Sequence, residues 1–222
     1  MARLPFITFE GSEGCGKSTQ VQLLATRLEI AGIPFLITRE PGGTAVGESI
    51  RELLQFAPHS TGMTPETELL LFEASRAQLV REVIKPALER GECVIADRFL
   101  DSTTVYQGVA RKLNQKIVRQ LNAFAVGDCV PDITFLLDVD LQTAGARMKG
   151  PRRPDRMEQQ AGEFYEQVRD GYHELAKWQR DRIVVIRGWQ TPEEISNAIW
   201  ETLLQRFPNL TRSGVGGQKS ES

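Results

Sequence analysis

The stretch FITFEGSEGCGKST, residues 6–19, decides how the rest of the chain is read. FITFE (6–10) is short, β-branched and apolar, as a strand is. Behind it Gly11, Gly16, Lys17 and Ser18, followed by Thr19, satisfy the spacing G-x-x-x-x-G-K-[ST], and a helix-like pattern starts at once. Strand, glycine loop and helix form the context in which this spacing holds phosphate. The glycines let backbone N–H groups turn inward around an anion, and the helix N-terminus adds partial positive charge. Lys17 is expected to span the outer phosphates of ATP, and the Ser18 hydroxyl to ligate Mg²⁺. Ser12, Glu13, Gly14 and Cys15 complete the cradle. Cys15 is read as a small side chain where a bulky one would clash, since no partner base adjoins it. Glu13 is the anomaly, because it sets a negative charge beside polyanions.

The composition limits the alternatives. The chain has 222 residues, enough for one domain with a sizeable core. Its net charge of −2 argues against a protein that coats nucleic acid. Three scattered cysteines, Cys15, Cys93 and Cys129, give neither a disulfide framework nor metal-ligand spacing, and they fit a reducing cytoplasm. No apolar run reaches the length of a membrane span, and the N-terminus enters a strand without a signal-peptide core. From residue 211 the tail TRSGVGGQKSES is Gly/Ser-rich and is expected to be disordered.

Five apolar runs punctuate the chain: 6–10, 34–38, 93–97, 133–139 and 182–186. Helical patterns lie between and after them, at 17–31, 66–90, 115–126, 158–180 and 192–206. This alternation predicts one α/β domain over 1–210 with a mostly parallel sheet, its strands covered on both faces. Two polar excursions interrupt it, REPGGTAVGE (39–48) and RMKGPRRPDRMEQ (147–159).

CVIADR (93–98) ends in Asp97 and Arg98, and open α/β sheets bind ligands at the carboxyl ends of their strands. Asp97 suits metal-water ordering or acceptance of an acceptor's proton, and Arg98 suits a second anion. On the helix 69–79, Phe72 and Arg76 are four apart and share a face. A ring there can stack a nucleobase, and a guanidinium can donate to a base carbonyl; a core Phe with a solvated Arg is the competing reading. In DSTTVYQG (101–108), Ser102, Thr103 and Gln107 can hydrogen-bond a base edge and Tyr106 can cover a sugar. No N-K-x-D guanine signature and no second acid after Asp97 are present, which favours transfer to a small acceptor over a nucleotide-switched binding protein. His59 and His173 show no acid–base or metal constellation in the sequence.

Together, FITFEGSEGCGKST, TREPGGT (38–44), LLLFEASR (69–76), DRFLDSTTVYQG (97–108), PDITFLLDV (131–139) and DRME (155–158) resemble bacterial thymidylate kinases over about residues 4–207. The resemblance implies a P-loop kinase three-layer sandwich, a five-stranded parallel sheet between helices with a mobile lid. It implies transfer of the ATP γ-phosphate to dTMP in a Mg²⁺-dependent reaction, and a cytoplasmic homodimer. It places Arg39, Glu40, Pro41 and Arg51 around dTMP, Phe72 on thymine and Arg76 on a base carbonyl. Arg98 falls on the acceptor phosphate, and Thr103, Tyr106 and Gln107 face base and sugar. Glu13 is the family's loop carboxylate, for which the acceptor's sugar 3′-hydroxyl is a fitting donor. Another nucleoside-monophosphate kinase or a deoxynucleoside kinase on this scaffold is the nearest rival.

Some thymidylate kinases carry an arginine directly after that carboxylate; here the position is Gly14. The missing charge is expected from the lid, about 147–159, with Arg147, Lys149, Arg152, Arg153 and Arg156. Arg153 is assigned to the transferring phosphoryl group and Arg156 to the adenine end, with Arg152 the competitor for the first role. RGWQTPEE (187–194) matches the family's adenine-packing loop, largely through backbone.

Overall fold

The apolar runs become strands wherever helices cover them. In the computed structural model, which describes residues 3–57, 62–148 and 162–211, β1 (Phe6–Glu10), β2 (Phe35–Arg39), β3 (Cys93–Asp97), β4 (Ile133–Asp138) and β5 (Ile183–Arg187) form one sheet. The order is β2-β3-β1-β4-β5 and every neighbouring pair is parallel. β1, β3 and β4 are buried along nearly their whole length, whereas the edge strands β2 and β5 are half-exposed. The expected continuous cover therefore holds for the three central strands.

Helices α1 (Lys17–Ile30), α2 (Ala45–Gln55), α3 (Pro65–Leu79), α4 (Lys85–Glu89), α5 (Leu100–Thr103), α6 (Gln115–Val126), α7 (Leu141–Met148), α8 (Gly162–Trp178) and α9 (Pro192–Arg206) surround the sheet. On one face Ile7, Phe9, Ile95 and Phe135 pack with Leu24 and Leu28 of α1 and Ile199 and Leu203 of α9. On the other, Phe6, Val94 and Ala96 pack with Leu79, Ile84 and Phe99. A third cluster joins Leu136 and Ile183 to Val168 and Tyr172 of α8. The α9 boundary was legible because Thr191-Pro192-Glu193-Glu194 forms a capping box with proline at the first turn. π-helical turns, Val80–Ile84 and Thr104–Ala110, extend α3 into α4 and prolong α5.

One expectation needs correction. The stretch 39–48 reads as a polar excursion, yet α2 starts inside it at Ala45, capped by the Thr44 side chain, which accepts from the Gly47 N–H. Gly47 looks like loop punctuation but is helical. A Cβ there would lie 2.8 Å from the Gly42 carbonyl oxygen, so the glycine lets the helix pack onto the preceding turn. The lid beyond Met148, with Lys149, Arg152, Arg153 and Arg156, lies outside the described residues, as do His59 and the tail from residue 212.

All five strands end in a charged residue: Glu10, Arg39, Asp97, Asp138 and Arg187. In register, Arg39 lies beside Asp97 and Asp138 beside Arg187. The carboxyl edge of the sheet is thus a concentrated field of charge, fed by connections that leave β1 on both sides. Beneath it, Arg182 grips Asp101 in two bonds of 2.7 and 2.8 Å and donates to Thr134 Oγ1 at 2.6 Å. Thr134 shares a 2.6 Å hydrogen bond with Thr8. This buried chain ties the start of β5 to β4, β1 and α5. Arg182→Met should lower the unfolding free energy by about 3–5 kcal/mol, because it strands the Asp101 carboxylate. Adding Asp101→Leu should recover part of the loss. Urea unfolding checks both, and a single variant with the parent's midpoint contradicts the assignment.

Candidate active site

The phosphate loop joins β1 to α1 through three residues with positive φ: Gly11 at 136°, Gly14 at 72° and Gly16 at 99°. A Cβ on Gly11 would sit 2.6 Å from the Leu137 carbonyl oxygen, so the loop start lies too close to β4 for any side chain. Gly16, left-handed, caps α1 and turns the helix's first N–H groups toward the loop. Lys17 is buried, and its Nζ donates to the carbonyls of Gly11 (3.2 Å) and Ser12 (2.9 Å). Cys15 is buried in the core and accepts from Lys17 at 3.6 Å, consistent with a packed small side chain.

In front of the loop lies a basin of roughly 640 Å³. Glu13, Gly14, Gly16, Lys17, Ser18 and Thr19 line one end, while Gly11, Ser12 and Cys15 stay behind. Asp97 projects between the two ends, and Ser18 Oγ donates to its Oδ2 at 2.8 Å. Arg39, Glu40, Pro41, Arg51, Phe72, Arg98, Thr103, Tyr106 and Gln107 line the rest, so residues from β2, α2, α3, β3 and α5 converge. Ser102 and Gln55 also reach the basin.

Arg98 is the link between the ends. Its backbone is left-handed, φ 71°. One Nη donates to Glu13 Oε1 at 2.7 Å and the other to Ser102 Oγ at 3.1 Å. The guanidinium also stacks 5.2 Å above the Tyr106 ring. Burial opposes its charge most strongly, but Glu13, helped by Tyr106, Tyr172 and Glu10, raises the Arg98 pKa well above its ordinary value. Glu13 is therefore not a solvent-facing loop residue; it is clasped by the arginine that follows β3.

The pieces around Arg98 hang from a residue the sequence reading missed. Glu10, the last residue of β1, is fully buried and accepts from the Phe99 N–H (2.8 Å), Ser102 Oγ (2.7 Å) and Tyr172 Oη (2.6 Å). Burial, then Asp101, raises its pKa. It ends an apparently ordinary strand, and only the sheet places it under α5. Glu48 is a second omission. It accepts a two-pronged bond from Arg39 (2.7 and 3.0 Å) and one from the Gly43 N–H (2.8 Å). Those bonds, Arg39 first, lower its pKa to about 2. Arg51 donates to the Pro41 carbonyl (3.0 Å), so α2 fixes the R-E-P-G-G turn whose Glu40–Pro41 bond is cis.

Arg76 departs from expectation. It is 1% exposed and does not line the basin. Its Nε meets Glu40 Oε2 at 2.9 Å and one Nη meets the same oxygen at 2.5 Å; the others reach Thr103, Asn122 and the Phe99 carbonyl. A guanidinium has five N–H donors, and these contacts occupy them all. Arg76 is thus a brace behind Glu40 and Thr103. Arg147 reaches the basin and donates to the Gly188 carbonyl at 3.0 Å, joining α7 to the loop after β5. His173, silent in the sequence, lies 3.1 Å from Asp138, which Arg169 also grips.

Ser18 and Asp97 offer adjacent hard oxygens at the mouth of the loop, a donor set that fits Mg²⁺. Among the described residues no cluster of three or more His, Cys, Asp or Glu side chains is placed to hold a metal alone.

The buried charge of Arg76 faces two carboxylates, Glu40 and Glu73. Burial pushes the Glu40 carboxyl up to about 7 despite the pull of Arg76. A raised carboxyl makes the folded state hold a proton that the unfolded chain has released, so its contribution to stability falls as pH rises from about 4.5 to about 7. Glu40→Gln should flatten that part of the stability–pH curve relative to the parent, as read by chemical unfolding. A difference curve level across the window contradicts the assignment.

Comparison with known proteins gives a consistent result. The sequence profile described as thymidylate kinase matches residues 9–199. A thymidylate kinase of Fervidobacterium nodosum is 50% identical over 194 residues, 87% of this chain and 95% of that one. One of Thermomicrobium roseum is 45% identical over 209 residues, 94% and 98% of the two chains. The crystal structure of thymidylate kinase from Ehrlichia chaffeensis superposes with a TM-score of 0.73 at 39% identity, covering 91% of this chain and 99% of its own.

Proposed function

The chain belongs to the thymidylate kinase family, and from that premise we propose that it transfers the γ-phosphoryl group of ATP to dTMP, giving dTDP and ADP. The observation that carries this reading is the single basin with Lys17 at one end and Arg98 at the other. Two anionic nucleotides can meet there end to end. The β–γ bridging P–O bond of ATP breaks and a new P–O bond forms to an oxygen of the dTMP phosphate, which has no proton to lose at neutral pH. No histidine base is required, because this chemistry rests on positioning and charge.

Lys17 and the loop N–H groups hold the ATP phosphates. Ser18 and Asp97 hold Mg²⁺, which when bound would neutralise phosphate charge. Arg98 takes the dTMP phosphate. Glu13, released from Arg98 as that phosphate arrives, accepts from the sugar 3′-hydroxyl. Phe72 and Pro41 flank the base, with Thr103, Tyr106 and Gln107 on its edge and sugar. Arg39 and Arg51 hold the turn that carries Glu40 and Pro41, and Arg76 braces it from behind. Arg153, outside the described residues, is assigned to the transferring phosphoryl group on the resemblance alone, and Arg156 to the adenine end beyond Arg147. A homodimer is supported by exposed apolar side chains on two helices that pack together, Leu70 on α3 and Ile117 and Phe124 on α6. A cytoplasmic setting agrees with three free cysteines, and no described helix is long and apolar enough to cross a membrane.

ADP release measured with ATP, Mg²⁺ and dTMP, dUMP, dCMP, GMP or thymidine tests the reading. dTMP should be the best acceptor; preference for any other overturns it. Arg98→Met should cut kcat/KM for dTMP by about 10- to 100-fold, the value of a lost hydrogen bond to a charged group. Arg153→Ala should lower kcat by about 10³-fold or more with little change in dTMP binding, as removal of an arginine from the transferring group does. Equal, small effects across Arg147, Lys149, Arg152, Arg153 and Arg156 would shift that role elsewhere.

A further inference from the structure

Glu68 lies in the first turn of α3, is fully buried, and touches no part of the basin. Its Oε1 accepts from Gln107 Nε2 at 2.8 Å. Arg111, four residues after Gln107, brings its Nε and one Nη to the same carboxylate at 3.3 Å. Arg111 is itself held 4.8 Å above the Phe164 ring. Gln107 is 2% exposed, and what it does expose faces the basin. Phe72, one turn beyond Glu68 on α3, lines the same wall.

A glutamine amide presents a donor on one side and an acceptor on the other, and nothing in the side chain itself chooses between them. Here the choice is made by charge. Turned over, Gln107 would set its Oε1 against the Glu68 carboxylate, two acceptors without a proton in a site closed to water, a costly arrangement. We propose that Glu68 is a positioning residue for base selection: by claiming the Gln107 amide N–H, it leaves Gln107 Oε1 as the group offered to the nucleobase. This rests on the dTMP kinase reading and deepens it. An acceptor wall matches a base whose ring N3 carries a hydrogen, as thymine and uracil do. Cytosine presents a lone pair at N3, so the wall meets it acceptor to acceptor. Glu68 therefore discriminates against cytosine nucleotides without contacting them, and it is indifferent to the 5-methyl group that separates dTMP from dUMP.

The test compares kcat/KM for dTMP, dUMP and dCMP in the parent, Glu68→Gln, Gln107→Leu and the double variant. A neutral amide at 68 tolerates either orientation of Gln107. Glu68→Gln should therefore lower the dTMP:dCMP ratio by about tenfold or more, the scale on which misplaced polar partners discriminate. The dTMP:dUMP ratio should stay unchanged. In the Gln107→Leu background the second substitution should have no further effect on selectivity. A parallel fall for all three nucleotides, or additive effects in the double variant, would overturn the proposal. If Glu68→Gln does not fold, the folded parent still answers. The Gln107 side-chain amide should show one slowly exchanging, downfield proton by ¹⁵N NMR that persists when dTMP is added; a freely exchanging amide, or one rearranged by dTMP, rejects the role of Glu68. Should the parent prefer an acceptor other than dTMP while the Gln107–Glu68 bond persists, the substrate reading fails and the bond assignment stands.

Discussion

Two largely buried arginines, Arg76 and Arg98, stand by the carboxyl edge of the sheet and a third, Arg182, lies beneath it at the start of β5, and the site exists only because each has been given carboxylates. Taking a guanidinium out of water costs several kcal/mol unless its N–H groups are paired. Arg76 meets Glu40 and Glu73, Arg98 meets Glu13, and Arg182 meets Asp101. Apart from Arg76–Glu73, which lies within α3, each pair crosses between elements. Arg76 joins α3 to the end of β2, Arg98 joins the end of β3 to the phosphate loop, and Arg182 joins the start of β5 to α5. The charges at the strand ends are thereby a scaffold as well as a surface for anions.

This explains how an acid can sit in a phosphate loop. Glu13 alone would repel ATP. Clasped by Arg98 at 2.7 Å, it forms a pair that is neutral overall, so the loop keeps Lys17 as its cation. On the proposed assignment of Arg98 to the acceptor phosphate, the same clasp would put that anion in competition with Glu13 for one guanidinium. Occupancy at the dTMP end would then alter charge inside the ATP loop and couple the two halves of the basin through one hydrogen-bonded pair.

Much of the fold was legible because its signals are local. β1 and β3 begin and end where their apolar runs do, and α6 and α9 follow their caps and period. The loop glycines and Lys17 announced themselves by spacing. What the sequence hid depends on contacts distant along the chain. Glu10 reads as a strand residue until the sheet sets it beneath Ser102 and Tyr172, 92 and 162 residues away. α2 was obscured because Gly47 serves close packing rather than a turn. Arg76 shares a helical face with Phe72 as expected, but helical spacing cannot tell which residue looks into a cavity and which is walled behind Glu40.

Exposure separates the carboxylates that hold from those that can move. Glu10 is fully buried and takes hydrogen bonds from two backbone N–H groups and two hydroxyls; shifting it would strand several donors at once. Glu13 keeps a quarter of its side chain exposed and lines the basin, so water or a sugar hydroxyl can replace its partner at little cost. Arg98 stands between them, its guanidinium stacked over the Tyr106 ring and its bond to Ser102 independent of Glu13. On the proposed assignment, a phosphate that displaced Glu13 would still meet a guanidinium aimed by contacts that trace back to Glu10. A fixed carboxylate beneath and an exchangeable one in front would then give the site a rigid receptor for an anion, together with an internal group that marks whether the anion has come.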